Sequence, residues 1–508
     1  MIIPRPAAVE RHAGRFTLDR GARLSVGPGA ERPAALLREY LGADLTGSAE
    51  GRPVLLALRG DGEPESYALD IGPESVSLTA PAEAGLFHGV QTLRQLLDAD
   101  EPSWPCLTLT DRPRLPWRGF LLDVARHFMP MPYLFQVVDR LAFHKLNVFQ
   151  LHLTDDQGWR MEIEGHPRLT EVGAWRSESM VGPDVVDGVP NDRYDGVPHG
   201  GFYTQRELAG LVDYAAARGV TVVPEIELPG HVRALLAAYP ELGNFPDRPL
   251  PVWAGWGVCE DILGVGDAAL DLCREVLDQV RRVFPSLYVH IGGEECPTVQ
   301  WENSPAAREK ARLLGLAEPA ELRGWFLQEM RDFLADRGRR SICWDESGHA
   351  VGSLPRDITV VPWRDAAHGA EAVRRGHRVI MAPHRSTYLD YQQHRHPEEP
   401  PGQPGHPVTL ADIHGFDPLA GGLPVSDGEA PGVLGAQAQL WTEFAPTPAH
   451  VDYLMFPRLC GFAEAVWSGS GDFAEFRARL EPHYPRLRAL GIRPAPAERG
   501  ALAGRMQQ

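Results

Sequence analysis

From Trp117 onward, strand-length apolar runs alternate with amphipathic helical stretches, and no other feature of these 508 residues limits the possible folds so tightly. The runs cover residues 119–123, 147–153, 221–226, 288–291, 341–344, 358–363, 378–381 and 435–441. Helical periodicity is clear between several of them, at 132–144, 208–218, 268–284, 322–336 and 370–375. Eight strands joined by crossover-length segments are the pattern of parallel βα repeats. A closed (β/α)8 TIM barrel is expected rather than an open doubly wound sheet, because no glycine-rich nucleotide loop follows the first strand.

The chain ahead of the barrel reads differently. Residues 1–112 carry short alternating runs at 23–26, 53–58, 66–71 and 76–79 between Gly, Pro and Asp turns, then a helical stretch, 85–97, with Leu86, Val90, Leu93 and Leu97 on one face. A small α+β domain is expected there. The segment 98–116, rich in Pro and Asp, marks the boundary, so the expected units are 1–112, a catalytic barrel 113–490 and a C-terminal tail 491–508.

A net charge of −18 repels phosphate backbones and anionic lipid heads. Without a basic patch, nucleic acid and membrane are not expected partners. The first residues are interrupted by Arg5, Glu10 and Arg11, and no stretch approaches the ~18 uninterrupted apolar residues of a membrane span. The expected location is cytoplasmic, although a leader trimmed beforehand leaves the same picture. Six cysteines, Cys106, Cys259, Cys273, Cys296, Cys343 and Cys460, show no ligand spacing, so neither a structural metal nor a cofactor is expected. Cys296 reads as a small apolar residue at a strand end.

Barrel chemistry sits at the carboxyl ends of the strands. Those ends carry Asp123, Arg126 and His127; Asp155, Asp156 and Gln157; Glu225, Glu227 and His231; Glu294 and Glu295; Trp344, Asp345 and Glu346; Trp363; Tyr388 and Asp390; and Trp441 and Glu443. Charged groups interleaved with flat rings line a polar cavity with aromatic walls, which suits a sugar's hydroxyl edge and C–H face. Glycoside hydrolysis needs one carboxyl to protonate the leaving oxygen and a second group to stabilise the oxocarbenium-like centre. Glu294 and Glu295 follow Gly292 and Gly293 at the end of an apolar run. Adjacent side chains on a regular strand face opposite ways, and the glycines let the backbone twist so that both carboxyls meet one cavity.

The run His290-Ile-Gly-Gly-Glu-Glu295 resembles the His-x-Gly-Gly-Asp-Glu signature of glycoside hydrolase family 20, the β-N-acetylhexosaminidases. Further blocks match in the family's order: Leu122-Asp-Val-Ala-Arg-His-Phe128, Leu151-His-Leu-Thr-Asp-Asp-Gln-Gly-Trp159, Pro224-Glu-Ile-Glu-Leu-Pro-Gly-His231, Tyr388-Leu-Asp390 and Leu440-Trp-Thr-Glu443. The resemblance implies an exo-acting, retaining enzyme on N-acetylhexosamine-terminated oligosaccharides or glycoconjugates. It also implies substrate-assisted catalysis, in which the 2-acetamido oxygen attacks the anomeric carbon to give an oxazolinium ion. Carried over residue by residue, Glu295 is the general acid and then base, Glu294 orients the acetamido group, and Asp155 and His231 tune the acid. Arg126, Asp390 and Glu443 hold ring hydroxyls; Trp344, Trp363, Trp441 and Tyr388 form the walls.

Three departures stand out. Glu294 and Glu227 each replace an Asp usual in its block, and 406–418 lacks a tryptophan that many relatives place there, so that a wall is missing or comes from elsewhere. Two other readings compete: a barrel hydrolase using two protein carboxylates directly, with Asp345 and Glu346 as candidates, and a carbohydrate-binding protein impaired by the change at Glu294.

Overall fold

The computed structural model describes residues 1–19, 21–41, 45, 51–98, 101–186, 188–345 and 354–496. The leading domain comprises β1 (Ala8–Thr17), β2 (Ala22–Val26), α1 (Glu31–Leu41), β3 (Arg52–Leu58), β4 (Tyr67–Ile71), β5 (Val76–Ala80), α2 (Glu83–Leu96) and β6 (Ser103–Asp111). These strands form one six-stranded sheet in the order β1-β6-β4-β5-β3-β2. Its core gathers Val54, Leu56, Leu69 and Leu78 from the strands with Leu86, Val90 and Leu93 of α2.

Two strands and a helix emerge that pattern reading passed over. β6 lies inside the segment read as a boundary; its Pro105 and its flanking Asp and Pro residues hide an alternation in which Leu107, Leu109 and Asp111 are buried. β1 is exposed along nearly its whole length, and its Glu10, Arg11, His12 and Arg15 are the charges expected on a sheet edge.

The barrel closes in the order β7 (Trp117–Asp123), β8 (Val148–His152), β9 (Thr221–Glu225), β10 (Tyr288–His290), β11 (Arg340–Trp344), β12 (Thr359–Val361), β13 (Arg378–Met381) and β14 (Gly432–Leu440). All neighbours are parallel, and β14 pairs with β7. Every residue of β7, β8 and β14 is buried, as expected for strands covered on both faces. The lumen is filled by Trp117, Leu121, Val148, Val223, Ile342, Val361, Ile380 and Leu434. The strand period of two then carries β8 from Val148 through Gln150 to His152 on the same side, so the lumen turns from apolar to polar toward the mouth.

The two units are joined by a buried polar seam at the amino ends of β7 and β8. Lys145, fully buried, reaches Asp111 Oδ2 and Tyr67 OH, both at 2.8 Å, and lies over the ring of Trp467. Arg118, equally buried, pairs with Glu65 at 2.6 Å. Beyond the last helix, Ile492 and Ala495 are buried and the Ala495 N–H donates to Phe456 O. Of the expected tail, residues 497–508 lie outside the described residues.

Candidate active site

Each strand-end segment uses its own local device to present a side chain. Asp123, closing β7, accepts from the backbone N–H groups of Ala125 and Arg126 and from the N–H and hydroxyl of Thr442, which turns Arg126 into the mouth. After β8, Thr154–Asp155 folds back on Gly158–Trp159 in a tight antiparallel hairpin. His231, in the Pro-Gly-His loop after β9, has φ +52°, and Glu295 has φ +43°. Both are non-glycine residues held in the left-handed region, the kind of local strain that a surrounding structure must over-determine. Gly292 and Gly293 share that region at +66° and +102°, and the resulting twist puts Glu294 and Glu295 on the same cavity.

The carboxylates and histidines form one chain of contacts. His231 Nε2 lies 3.5 Å from Glu295 Oε2, while its Nδ1 faces Asp156 Oδ2 at 3.0 Å and Asp155 Oδ1 at 3.3 Å. Asp155 Oδ2 is bound by Arg126 Nη2 and His152 Nε2, each at 2.9 Å. His152 Nδ1 pairs in turn with Glu225 Oε2 at 2.9 Å, and Glu225 also accepts from Gln150 at 2.8 Å and from the Trp344 indole at 2.6 Å.

This arrangement fixes where protons rest. Burial opposes a charge on His231, but Asp155 and Asp156 overcome it and hold the imidazole well above its ordinary range. Burial likewise works against ionised Glu295, yet the bond from His231 prevails and lowers it. Glu294 goes the other way: burial, with Glu225 and Glu295 adding to it against His231, pushes it up to about 8. The site therefore pairs a His231 imidazolium with a Glu295 carboxylate, beside a Glu294 that keeps its proton near neutrality.

These groups open on a pocket lined by Arg126, His231, Glu294, Glu295, Trp344, Trp363, Tyr388, Asp390, Trp441 and Glu443, together with His384, Tyr391 and Gln403. Of the eleven residues singled out from sequence, ten line this pocket, and Asp155 sits behind His231 and Arg126. Trp344 and Trp441 lie 5.8 Å apart and Trp441 carries the Arg126 guanidinium at 5.0 Å. Both Asp390 oxygens and Glu294 Oε2 are buried with no hydrogen-bond partner among the described residues, and burial followed by the Glu443 charge raises Asp390 well above a normal carboxyl.

His384, Tyr391 and Gln403 escaped sequence reading. His384 follows the end of β13 by three residues, so the strand-end rule could have found it; its Nδ1 meets Tyr391 OH at 3.0 Å. Gln403 carries no such signal, since a loop brings it back to donate its backbone N–H to Asp390 O. Together they add a stretch of lining that sequence alone did not indicate. Gln150 and His152, polar groups inside a strand whose pattern is apolar, carry no such signal either, whereas Glu225 stands among the strand-end carboxylates.

Other candidates resolve plainly. Asp345 is buried and does not line the pocket, while Glu346 lies outside the described residues. Cys296 packs with Ile262, Val265 and Trp301, and all six cysteines are buried thiols without disulfides. Among the described residues three clusters bring metal-ligand atoms together: His152–Glu225–Glu227, Asp155–Asp156–His231 and His144–Cys460–His483. The first two belong to the network above. In the third, a Cys/His grouping that sequence spacing conceals, His144 Nδ1 lies 2.8 Å from Arg140 O and its Nε2 sits 3.0 Å from His483 and 3.5 Å from Cys460; a hydrogen-bonded core triad accounts for it. Among the described residues no helix is long and apolar enough to cross a membrane.

The family model "Glycosyl hydrolase family 20, catalytic domain" matches residues 115–470, and "Glycosyl hydrolase family 20, domain 2" matches 1–112. The chain is 36% identical over 519 residues to a β-hexosaminidase of Porphyromonas gingivalis, covering 97% of this chain and 64% of that protein's length. It is 32% identical over 523 residues to a β-N-acetylhexosaminidase of Cellulomonas fimi, covering 97% and 95%. The solved exo-β-N-acetylglucosaminidase of Vibrio harveyi, in complex with N-acetylglucosamine, superposes with a TM-score of 0.86 at 30% identity, over 97% of this chain and 78% of that one.

Proposed function

The chain belongs to glycosyl hydrolase family 20, and from that premise we propose that it is an exo-acting, retaining β-N-acetylhexosaminidase working by substrate-assisted catalysis. The observation that carries this reading is the Glu295–His231–Asp155 chain standing beside Glu294 in one aromatic-walled pocket. A terminal N-acetylhexosamine enters with its hydroxyls toward Arg126, Asp390 and Glu443 and its acetamido group among Trp344, Trp363, Trp441 and Tyr388. The relatives' β-hexosaminidase activity and the N-acetylglucosamine in the Vibrio harveyi structure support that substrate class. The same reading makes 1–112 a supporting unit and 113–490 the catalytic one.

The steps follow from the proton positions. A sugar covering half-buried Glu295 removes the water that solvates its carboxylate and raises its proton affinity. The proton held by His231 Nε2 then passes to Glu295, which delivers it to the glycosidic oxygen as that bond breaks. The acetamido carbonyl oxygen closes on the anomeric carbon, and Glu294 faces the nitrogen that becomes positive. Glu295, again a carboxylate, takes a proton from the water that opens the oxazolinium ring, so the anomeric configuration is retained.

An aryl N-acetyl-β-glucosaminide and the matched aryl β-glucoside test this directly. Because the acetamido oxygen is the nucleophile, the glucoside is expected to react at least about 10³-fold more slowly. Comparable rates replace the reading with direct attack by a protein carboxylate.

A further inference from the structure

Glu227 takes no part in the steps above, yet it is 1% exposed at the mouth. Its backbone N–H donates to Thr154 Oγ1, and its carboxyl fills the space beneath Gly292, where a Cβ would meet Oε2 at 2.0 Å. Neither Glu227 oxygen has a hydrogen-bond partner among the described residues, and neither does Glu294 Oε2. The groups facing Glu227 favour its neutral form. Burial opposes a charge on His152, but Glu225 and Asp155 raise its imidazole to about 10; its Nδ1 is 3.9 Å from Glu227 but pairs with Glu225 at 2.9 Å. Burial and the like charges of Glu294, Glu225 and Asp155 press against ionisation of Glu227, and His231 opposes them. Around Glu294 stand His231 on one side and Glu225 and Glu295 on the other. Two buried carboxyls that press on each other with like charge, each with an oxygen left unpaired among the described residues, do not both ionise.

We propose that Glu227 is a positioning residue that keeps its proton throughout the cycle and offers it to Glu294, so that Glu294 alone carries the pair's negative charge beside the acetamido nitrogen. This rests on the reading of Glu294 above. The surroundings support it: both Glu227 oxygens lack a partner among the described residues whereas only Oε2 of Glu294 does, and the His231 charge is the foremost charge acting on Glu294 but stands behind Glu294 and Glu225 at Glu227. The pH sign follows. As pH falls through the Glu294 ionisation, the orienting anion is lost and kcat declines, so the acid limb of kcat lies above the ordinary carboxylate range.

Two variants of matching size separate a proton donor from a space filler. Glu227→Gln keeps a donor and is expected to hold kcat within a few-fold, with its acid limb at or below the native position. Glu227→Met keeps the volume without the donor; kcat at neutral pH should fall about 10-fold or more, the loss expected for a hydrogen bond to an anion, and the acid limb should move up by about one pH unit. A Met variant that matches Gln in rate and limb makes Glu227 a filler. Equal losses in both remove the neutral donor. If Glu227→Met does not fold, native-minus-Gln difference infrared spectra at neutral pH decide: the C=O stretch of a protonated acid must appear in the native protein and vanish in the variant, and its absence overturns the assignment. The native enzyme's rate on the matched glucoside tests the acetamido mechanism separately, so the two failures cannot be confused.

Discussion

Asp111 and Glu227 are both buried carboxyls, one at the amino ends of the barrel strands and the other at their carboxyl ends, and the protein treats them in opposite ways. Asp111 Oδ1 accepts from the N–H groups of Ala7 and Arg112 and from the Trp467 indole, and its Oδ2 accepts from Tyr67 OH and Lys145 Nζ. Glu227 accepts nothing among the described residues, and Glu294 is left with an unpaired oxygen. Where every lone pair is occupied, the charge is a joint that fixes two units in one geometry. Where lone pairs are left empty in a dry place, the protein bears a desolvation cost that only a ligand or a retained proton can offset.

The comparison can be sharpened at its functional end first. Glu295→Gln should lower turnover on substrates with basic leaving groups by about 10²–10⁴-fold, far less on activated aryl glycosides, while the unfolding midpoint stays put because Glu295 is half-exposed. Equal losses on both substrates remove Glu295 from the acid role. At the other end, Lys145→Met strands Asp111 and should cost about 3–5 kcal/mol of unfolding free energy, with KM unchanged in the folded enzyme. Urea titration measures the first and steady-state kinetics the second. A small stability loss shows that the seam does not hold the units together.

The smallest effect concerns the slope of stability with pH. Glu294 has a folded pKa raised to about 8 from the ordinary 4.5, so the stability it confers is fully present below the unfolded value and is lost as pH rises through about 8. Glu294→Gln removes that group, and its unfolding free energy should decline less between pH 5 and 8 than the native protein's. Parallel curves place Glu294 in a better-solvated setting than a carboxyl with an unpaired buried oxygen should have.

Much of this was legible without coordinates. All eight barrel strands can be read because a strand covered on both faces must be a short apolar run, and ten pocket residues can be read because barrel strands deliver their chemistry at one end. β6 was not legible, since Pro105 and the surrounding acidic residues break the pattern while pairing with β1 and β4 restores it. Gln403 was not legible either, because its place depends on a loop closing against Asp390.

The order of the strands, the pair at Glu294 and Glu295 and the lengthened side chain at Glu227 belong to the sequence by itself, for each is a matter of residue type and spacing along the chain. Which carboxyl holds a proton belongs to the tertiary structure alone. Glu225, Glu227, Glu294 and Glu295 are the same residue type, and a sequence gives them one pKa. Burial, the charge on His231 and the presence or absence of donors divide them into a saturated anion, one carboxyl that keeps its proton, one that gives its proton up only near pH 8 and one poised to receive its own, because the energy of a charge depends on what surrounds it in space.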